Sequence, residues 1–368
     1  DQERERAAGH IAAADKKDFL HRGILADNEG EQMSYRITVL PSGETFEAAA
    51  DETILDAALR HGLTLPYGCR DGACGACKGK ILDGTVDYGK AQALTDADKA
   101  AGLALFCCAK PTGDLSLECK EVRAANEIPV KTLPARIEKL ERRAADVIEL
   151  HLRLPATDRL QFLAGQYVDI LLKDGKRRSF SMANAPHDDA CIQLHIRHVP
   201  GGLFTDQVFS GLKVRDILRL NGPHGSFYLR EKSAKPMVLL AGGTGFAPIK
   251  SLVEHALYEG STRPMTIYWG ARAKADLYLP DLPAQWAAAH PHIRYVPVLS
   301  EPAAGDAWSG RTGLVHQAVM ADFPDLSGHE VYACGAPAMI EAAKRDFTGL
   351  CRLPEDAYYA DSFTYSAS

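Results

Sequence analysis

Between residues 66 and 77 the chain reads Pro-Tyr-Gly-Cys-Arg-Asp-Gly-Ala-Cys-Gly-Ala-Cys, and a further cysteine, Cys107, stands well downstream. Cys69, Cys74 and Cys77 are spaced C-x4-C-x2-C, which with a distant fourth thiol is the plant-type ligand set of a [2Fe-2S] cluster. Gly68, Gly72 and Gly75 keep this stretch from being a helix and let the backbone wrap closely, with N–H groups aimed at sulfur. Thiolates this crowded repel one another unless a metal neutralises them. Structural zinc prefers paired C-x2-C knuckles, and only one of the two gaps fits. A disulfide framework is disfavoured by the odd cysteine count, nine, in a long chain with no export signal in view.

A length of 368 residues accommodates two to three domains. The formal net charge of −6 argues against nucleic acid as a partner, since phosphate binding needs concentrated Lys and Arg. No apolar run reaches transmembrane length, and Asp1 to Arg6 are charged or polar, so neither a membrane span nor a signal peptide is expected. Unpaired thiols and a reduced metal centre suit the cytoplasm, and a monomer is expected.

Residues 1–32 are rich in Ala and in charges of both signs, and read as an extension of uncertain order. From Tyr35 to Leu40 and from Thr45 to Glu47 two strands flank the turn Pro41-Ser42-Gly43-Glu44, and Thr53 to His61 carries Ile54, Leu55, Ala58 and Leu59 at helical spacing before Gly62. With the cysteine loop and a late strand holding Cys107, these make a small α+β unit over 33–123. Residues 124–133, with little periodicity, read as a linker. Short β-rich runs (Val147 to Leu152, Tyr167 to Leu172, Cys191 to Val199, Ile217 to Leu220) then predict an antiparallel barrel over 134–232. Over 233–354, Met237 to Ala241, Met265 to Trp269, Ile293 to Leu299 and Val331 to Ala333 alternate with helical patterns, which predicts a doubly wound α/β domain. Residues 355–368 read as a tail.

Gly242-Gly243-Thr244-Gly245-Phe246-Ala247-Pro248 lies between an apolar strand and its helix, where backbone N–H groups and the helix dipole favour a pyrophosphate. It departs from a strict G-x-G-x-x-G, and a tight strand–helix connection is the plain alternative. Cys334-Gly335-Ala336-Pro337 follows a later strand and should emerge on the same sheet edge. A thiol there suits the flank of a nicotinamide ring, although a buried cysteine acting as a small hydrophobe is common. In the middle domain Arg178 and Phe180 share one face of an extended run and Ser179 and Ser181 the other. Gly201, Gly202 and Thr205 form a turn that is ordinary taken singly. Cys119, Cys191 and Cys351 read as packing or surface residues, and the histidines show no metal spacing.

On these residues the chain from Met33 onward resembles the ferredoxin–NAD(P)H reductase superfamily in the form that carries an amino-terminal plant-type ferredoxin, as in oxygenase reductases of the benzoate dioxygenase and methane monooxygenase type. The loop is similar also to that of the branch serving CDP-6-deoxy-glucoseen chemistry. The resemblance implies a β-grasp ferredoxin domain, an antiparallel FAD barrel and a nicotinamide domain. It implies cluster ligation by Cys69, Cys74, Cys77 and Cys107, the last opening a Cys-x-Ala-x-Pro segment that leaves Cys108 aside. It further implies that Arg178, Ser179, Phe180 and Ser181 match the flavin motif, with Phe in place of the usual Tyr. The arginine would bind FAD phosphate, the ring would cover the isoalloxazine and Ser181 would approach its N5. Gly201, Gly202 and Thr205 match a second phosphate turn. Gly242, Gly243, Thr244 and Gly245 match the nicotinamide pyrophosphate loop, and Cys334, Gly335 and Pro337 an element by the hydride path. A carboxyl-terminal aromatic, Tyr359 or Phe363, is expected to shield the flavin.

The implied cofactors are FAD, a [2Fe-2S] cluster and NADH, with NADPH as the alternative because Arg272 and Lys274 follow the strand Met265 to Trp269. A nicotinamide gives two electrons together, a cluster takes one, and a flavin handles both. The expected function is electron delivery to a partner oxygenase. A dehydrase of CDP-4-keto-6-deoxyhexose is the alternative acceptor, and a redox-sensing module with a vestigial flavin site is the rival from another class.

Overall fold

The structure, a computed structural model, describes residues 33–119, 123–124 and 128–363. The extension 1–32, part of the expected linker, and residues 364–368 lie outside them. In the first sheet the strand order is Glu44–Ala49, Ser34–Leu40, Leu115–Glu118, Lys78–Asp83, Leu103–Leu105. Alternation sets its inner face: Ile37 and Val39 are fully buried while Arg36 is exposed. The helix Ile54–Arg60 covers that face, and it starts at Thr53 because the Thr53 Oγ1 accepts the Asp56 N–H at 3.1 Å. Ile54 and Leu55 are fully buried, each contributing about 1.5–3 kcal/mol.

Cys107 was expected on a strand, but the strand stops at Leu105 and Cys107 sits in the turn that follows. The Cys108 and Ala109 N–H groups both donate to the Leu105 carbonyl, and the Leu55 N–H donates to Phe106 O. The turn is thereby fastened to the helix start, and it carries the thiol back toward the cysteine loop.

The second sheet has six antiparallel strands in the order Arg177–Ser181, Tyr167–Leu171, Ile217–His224, Lys131–Ala144, Val147–Arg153, Ile192–Arg197. A bridge between Met182 and Leu194 joins the two outer strands and closes the barrel. The strand Lys131–Ala144 begins inside the segment read as linker. Pro134 is tolerated there because it pairs only with Arg219 on one side, and the pairing on the other side starts at Arg136.

The third sheet is wholly parallel, in the order Arg311–Thr312, Ile293–Leu299, Met265–Ala271, Met237–Gly242, Glu330–Gly335, Tyr358–Ser362. Its central strands are buried on both faces, which explains the continuous apolar runs. The segment read as a tail supplies the last strand: Tyr358–Ser362 pairs with Glu330–Gly335, placing Asp361 opposite Cys334. Among the described residues no helix is long and apolar enough to cross a membrane.

Candidate functional site

The cysteine loop runs from the short strand Leu63–Thr64 into Lys78–Asp83. Its turns need glycine: Gly72 has φ +80°, and a Cβ there would lie 2.6 Å from the Lys90 carbonyl oxygen. Arg70 also adopts a left-handed backbone, φ 63°, and its guanidinium is held by Asp56 at 2.8 Å. The Cys69 and Ala76 N–H groups point at Cys74 Sγ from 3.4 and 3.5 Å. Cys77 and Cys107 are both buried, with their sulfurs 3.2 Å apart. The Cys107 thiol is pushed up, first by its hydrogen bond with Cys77 and then by burial. Cys69 is pushed up in the same way, first by Cys74. Four cysteines gathered this closely, with backbone N–H groups converging on sulfur, form a donor set suited to a thiolate-bound metal centre. Cys108 Sγ lies 3.8 Å from Cys107 Sγ and equally far from the Lys90 carbonyl, and burial first, then Cys107, pushes it up to about 12.

Beside this loop is a cavity of about 620 Å³ with walls from all three sheets' neighbourhoods. Gly68, Cys69 and Asp71 come from the cysteine loop, and Arg178, Ser179, Phe180 and Ser181 from the barrel. Gly201, Gly202 and Thr205 form another wall, and Thr244, Asp361 and Phe363 come from the nucleotide domain. Phe180 packs on Phe204 with centroids 5.4 Å apart, and the Arg178 guanidinium donates to the Arg177 carbonyl at 2.9 Å. Thr205 Oγ1 accepts the Val199 N–H and donates to the Val199 carbonyl, so its hydroxyl builds the turn. Phe363, not Tyr359, reaches the cavity, for Tyr359 packs against Tyr332 at 4.9 Å.

Cys334 is fully buried, and what joins it to Ser181 is Asp361. Ser181 Oγ donates to Asp361 Oδ2 at 2.8 Å, and the Cys334 thiol also hydrogen-bonds this carboxylate. Burial pushes Asp361 up to about 6, against the opposing pull of those two donors. Motif reading missed Asp361, as it did Arg197 and His195, which line the cavity from within a strand. Arg197 is fixed by Asp146 at 2.6 Å. His195 shares a 2.8 Å hydrogen bond through Nδ1 with Tyr278, burial pushes it down to about 3, and its buried Nε2 has no partner among the described residues. An orphaned ring nitrogen, three arginines and four Tyr and Phe rings around one cavity fit a phosphate-bearing aromatic cofactor such as FAD.

Gly242, Gly243, Gly245, Gly335 and Pro337 lie behind this wall, where two strand–helix turns meet. A Cβ on Gly245 would collide with the Cys334 carbonyl oxygen, and one on Gly242 would sit 2.7 Å from Met339 Sδ. Trp269 Nε1 donates to Gly243 O at 3.0 Å, fixing the turn ahead of the helix Phe246–Tyr258. Gly245→Ala is accordingly expected to cost about 1–3 kcal/mol of stability, measured by urea denaturation; an unchanged midpoint would show that the turn has slack.

Comparison with known proteins gives three family matches in chain order: a 2Fe-2S iron-sulfur cluster binding domain over residues 37–112, an oxidoreductase FAD-binding domain over 134–228, and an oxidoreductase NAD-binding domain over 239–345. A CDP-6-deoxy-L-threo-D-glycero-4-hexulose-3-dehydrase reductase of Yersinia pestis is 44% identical across 91% of this chain and 100% of its own length. The chain belongs to the ferredoxin–NAD(P)H reductase superfamily, in the branch with an amino-terminal plant-type ferredoxin domain. Reductase component 2 of terephthalate 1,2-dioxygenase from Comamonas is 37% identical across 90% of this chain and 98% of that protein. The crystal structure of an Amycolatopsis cytochrome P450 reductase matches with a TM-score of 0.73 at 35% identity, covering 90% of this chain and 99% of that one. This reductase is thus an FAD- and [2Fe-2S]-containing oxidoreductase that passes electrons from NAD(P)H through FAD to its cluster.

Proposed function

We propose that this chain is the reductase component of a two-protein system, taking electron pairs from NADH and handing them singly to a separate acceptor. The observation that carries this reading is the single cavity lined at once by Cys69 and by Ser181 and Asp361. When bound, FAD supplies the exchange between hydride and single-electron chemistry, and the cluster supplies a one-electron outlet. Cys69, Cys74, Cys77 and Cys107 hold the cluster, a choice supported by the 3.2 Å approach of Cys77 to Cys107. Arg178 and Arg197, both on the cavity wall, would hold the flavin phosphates, and Phe180 and Phe363 would cover the ring and exclude water. Ser181 and Cys334 flank the hydride path, and the Asp361 carboxyl holds the Ser181 hydroxyl in place. The glycines at 242, 245 and 335 let the two strand–helix turns pack directly on each other, which sets Thr244 at the cavity wall where the nucleotide would enter.

NADH is the preferred nucleotide because the two cations that would attract a 2′-phosphate are already engaged. Arg272 Nε lies 3.3 Å from Asp276, while Lys274 donates through its N–H to Asp306 Oδ2 and through Nζ to Asp306 O. Steady-state kcat/KM with NADH is expected to exceed that with NADPH by tenfold or more, and Asp276→Ala, which frees the Arg272 guanidinium, should narrow the gap. A native preference for NADPH would reverse this assignment.

The acceptor is an oxygenase component, as the names of several relatives indicate for those proteins: terephthalate 1,2-dioxygenase, phenol 2-monooxygenase and aromatic O-demethylase. A second reading, a CDP-hexulose dehydrase as acceptor, is favoured by the 44% identity to its reductase over that protein's whole length. Reconstituting NADH-dependent turnover with purified oxygenase and dehydrase components separates the two, and only the true acceptor is expected to turn over.

A further inference from the structure

The residues immediately before the first cysteine are held by the flavin barrel. Ser226 makes a two-sided clasp on Tyr67: its Oγ accepts the Tyr67 N–H at 2.9 Å and donates to the Tyr67 carbonyl at 3.0 Å, while its own N–H donates to that carbonyl at 3.1 Å. One residue on, the buried Tyr167 hydroxyl donates to the Gly68 carbonyl at 2.7 Å. Tyr167 opens the strand Tyr167–Leu171, where it pairs with Ser181 on one side and His224 on the other. The same residue is therefore in register with the serine of the hydride side and bonded to the carbonyl next to Cys69.

The fit around these groups is close. A Cβ on Gly225 would stand 3.0 Å from the Tyr167 ring, and one on Gly68 would stand 3.2 Å from Cys74 Sγ. Burial pushes the Tyr167 phenol well above its usual value, which keeps it a donor. The carbonyls it and Ser226 satisfy belong to the other module, so each bond works only while the two modules stay together.

We propose that Tyr167 and Ser226 are positioning residues for electron passage, clasping Tyr67 and Gly68 so that Cys69 stays at the wall of the flavin cavity and the electron crosses without the ferredoxin module leaving the barrel. This rests on the reading of that cavity as the flavin site. The clasp acts on backbone groups, so it constrains the loop whichever side chains occupy residues 70–73.

The test uses the holoenzyme and its Ser226→Ala and Tyr167→Phe variants, with flavin and iron assayed on each sample. Hydrogen–deuterium exchange over residues 66–71 is expected to quicken about fivefold in Tyr167→Phe, the factor that losing one net hydrogen bond gives, and by more than that in Ser226→Ala, which loses two. In anaerobic stopped flow, Ser226→Ala should leave flavin reduction by NADH within twofold of the parent and slow the subsequent bleaching of the cluster by at least threefold. Exchange and cluster bleaching within twofold of the parent in both variants would overturn the clasp. Absent flavin or iron in the parent would instead overturn the cofactor reading, so the two failures are distinguishable.

Discussion

Cys107→Ser is expected to purify with its visible cluster absorption lost or strongly altered and its iron content reduced, whereas Cys108→Ser keeps both. The two thiols are adjacent in sequence, but the turn after Leu105 sends them different ways. Cys107 is 8% exposed and faces Cys77 at 3.2 Å, while Cys108 leans toward the Lys90 carbonyl. A [2Fe-2S] cluster short of one thiolate loses a bond that no neighbouring hard ligand replaces, and binding of the metal is coupled to folding of the loop. Visible circular dichroism and iron analysis read the result. The reverse pattern, with Cys108 indispensable and Cys107 dispensable, would contradict the assignment.

Asp361→Asn is expected to slow flavin reduction by NADH about 10²-fold, the loss that a misplaced positioning group can give, and to remove an inflection near pH 6 from the rate profile. The carboxyl is buried and hydrogen-bonded to both Ser181 and Cys334, so its ionisation changes the charge beside the hydride path. The same group gives a stability signature with a definite sign. Burial raises the folded carboxyl to about 6, above the value of about 3.9 in an unfolded chain, so the fold favours the neutral acid. Its contribution is fully present below about pH 4 and is lost as pH rises through 6, a difference on the order of 3 kcal/mol. Asp361→Asn is neutral throughout, so it should melt higher than the parent at pH 8 and no higher at pH 4. Equal melting differences at the two pH values would show that Asp361 is not held neutral by the fold.

The cysteine loop, the helix capped by Thr53 and the glycine turn after Met237–Gly242 were legible in the sequence because each is a local pattern with a local physical cause. Asp361 was not legible, because its meaning comes from the parallel pairing of Tyr358–Ser362 with Glu330–Gly335, which sets it against Cys334. A stretch of mixed polarity at the end of a chain carries no periodic sign of that pairing. His195, Arg197 and Tyr167 were hidden differently: each lies inside a run whose alternation announces a strand, and alternation says nothing about which polar side chain faces a cavity. The long strand Lys131–Ala144 was obscured by Pro134, whose cost disappears where only one neighbour is present.

The most direct test of the whole account is an anaerobic titration of the purified chain with NADH, followed by absorbance and electron paramagnetic resonance. The account predicts about one FAD and two irons per chain, flavin bleached by NADH, and a reduced-cluster signal appearing with it. A colourless protein, or one whose flavin is reduced while its cluster stays oxidised, would contradict it.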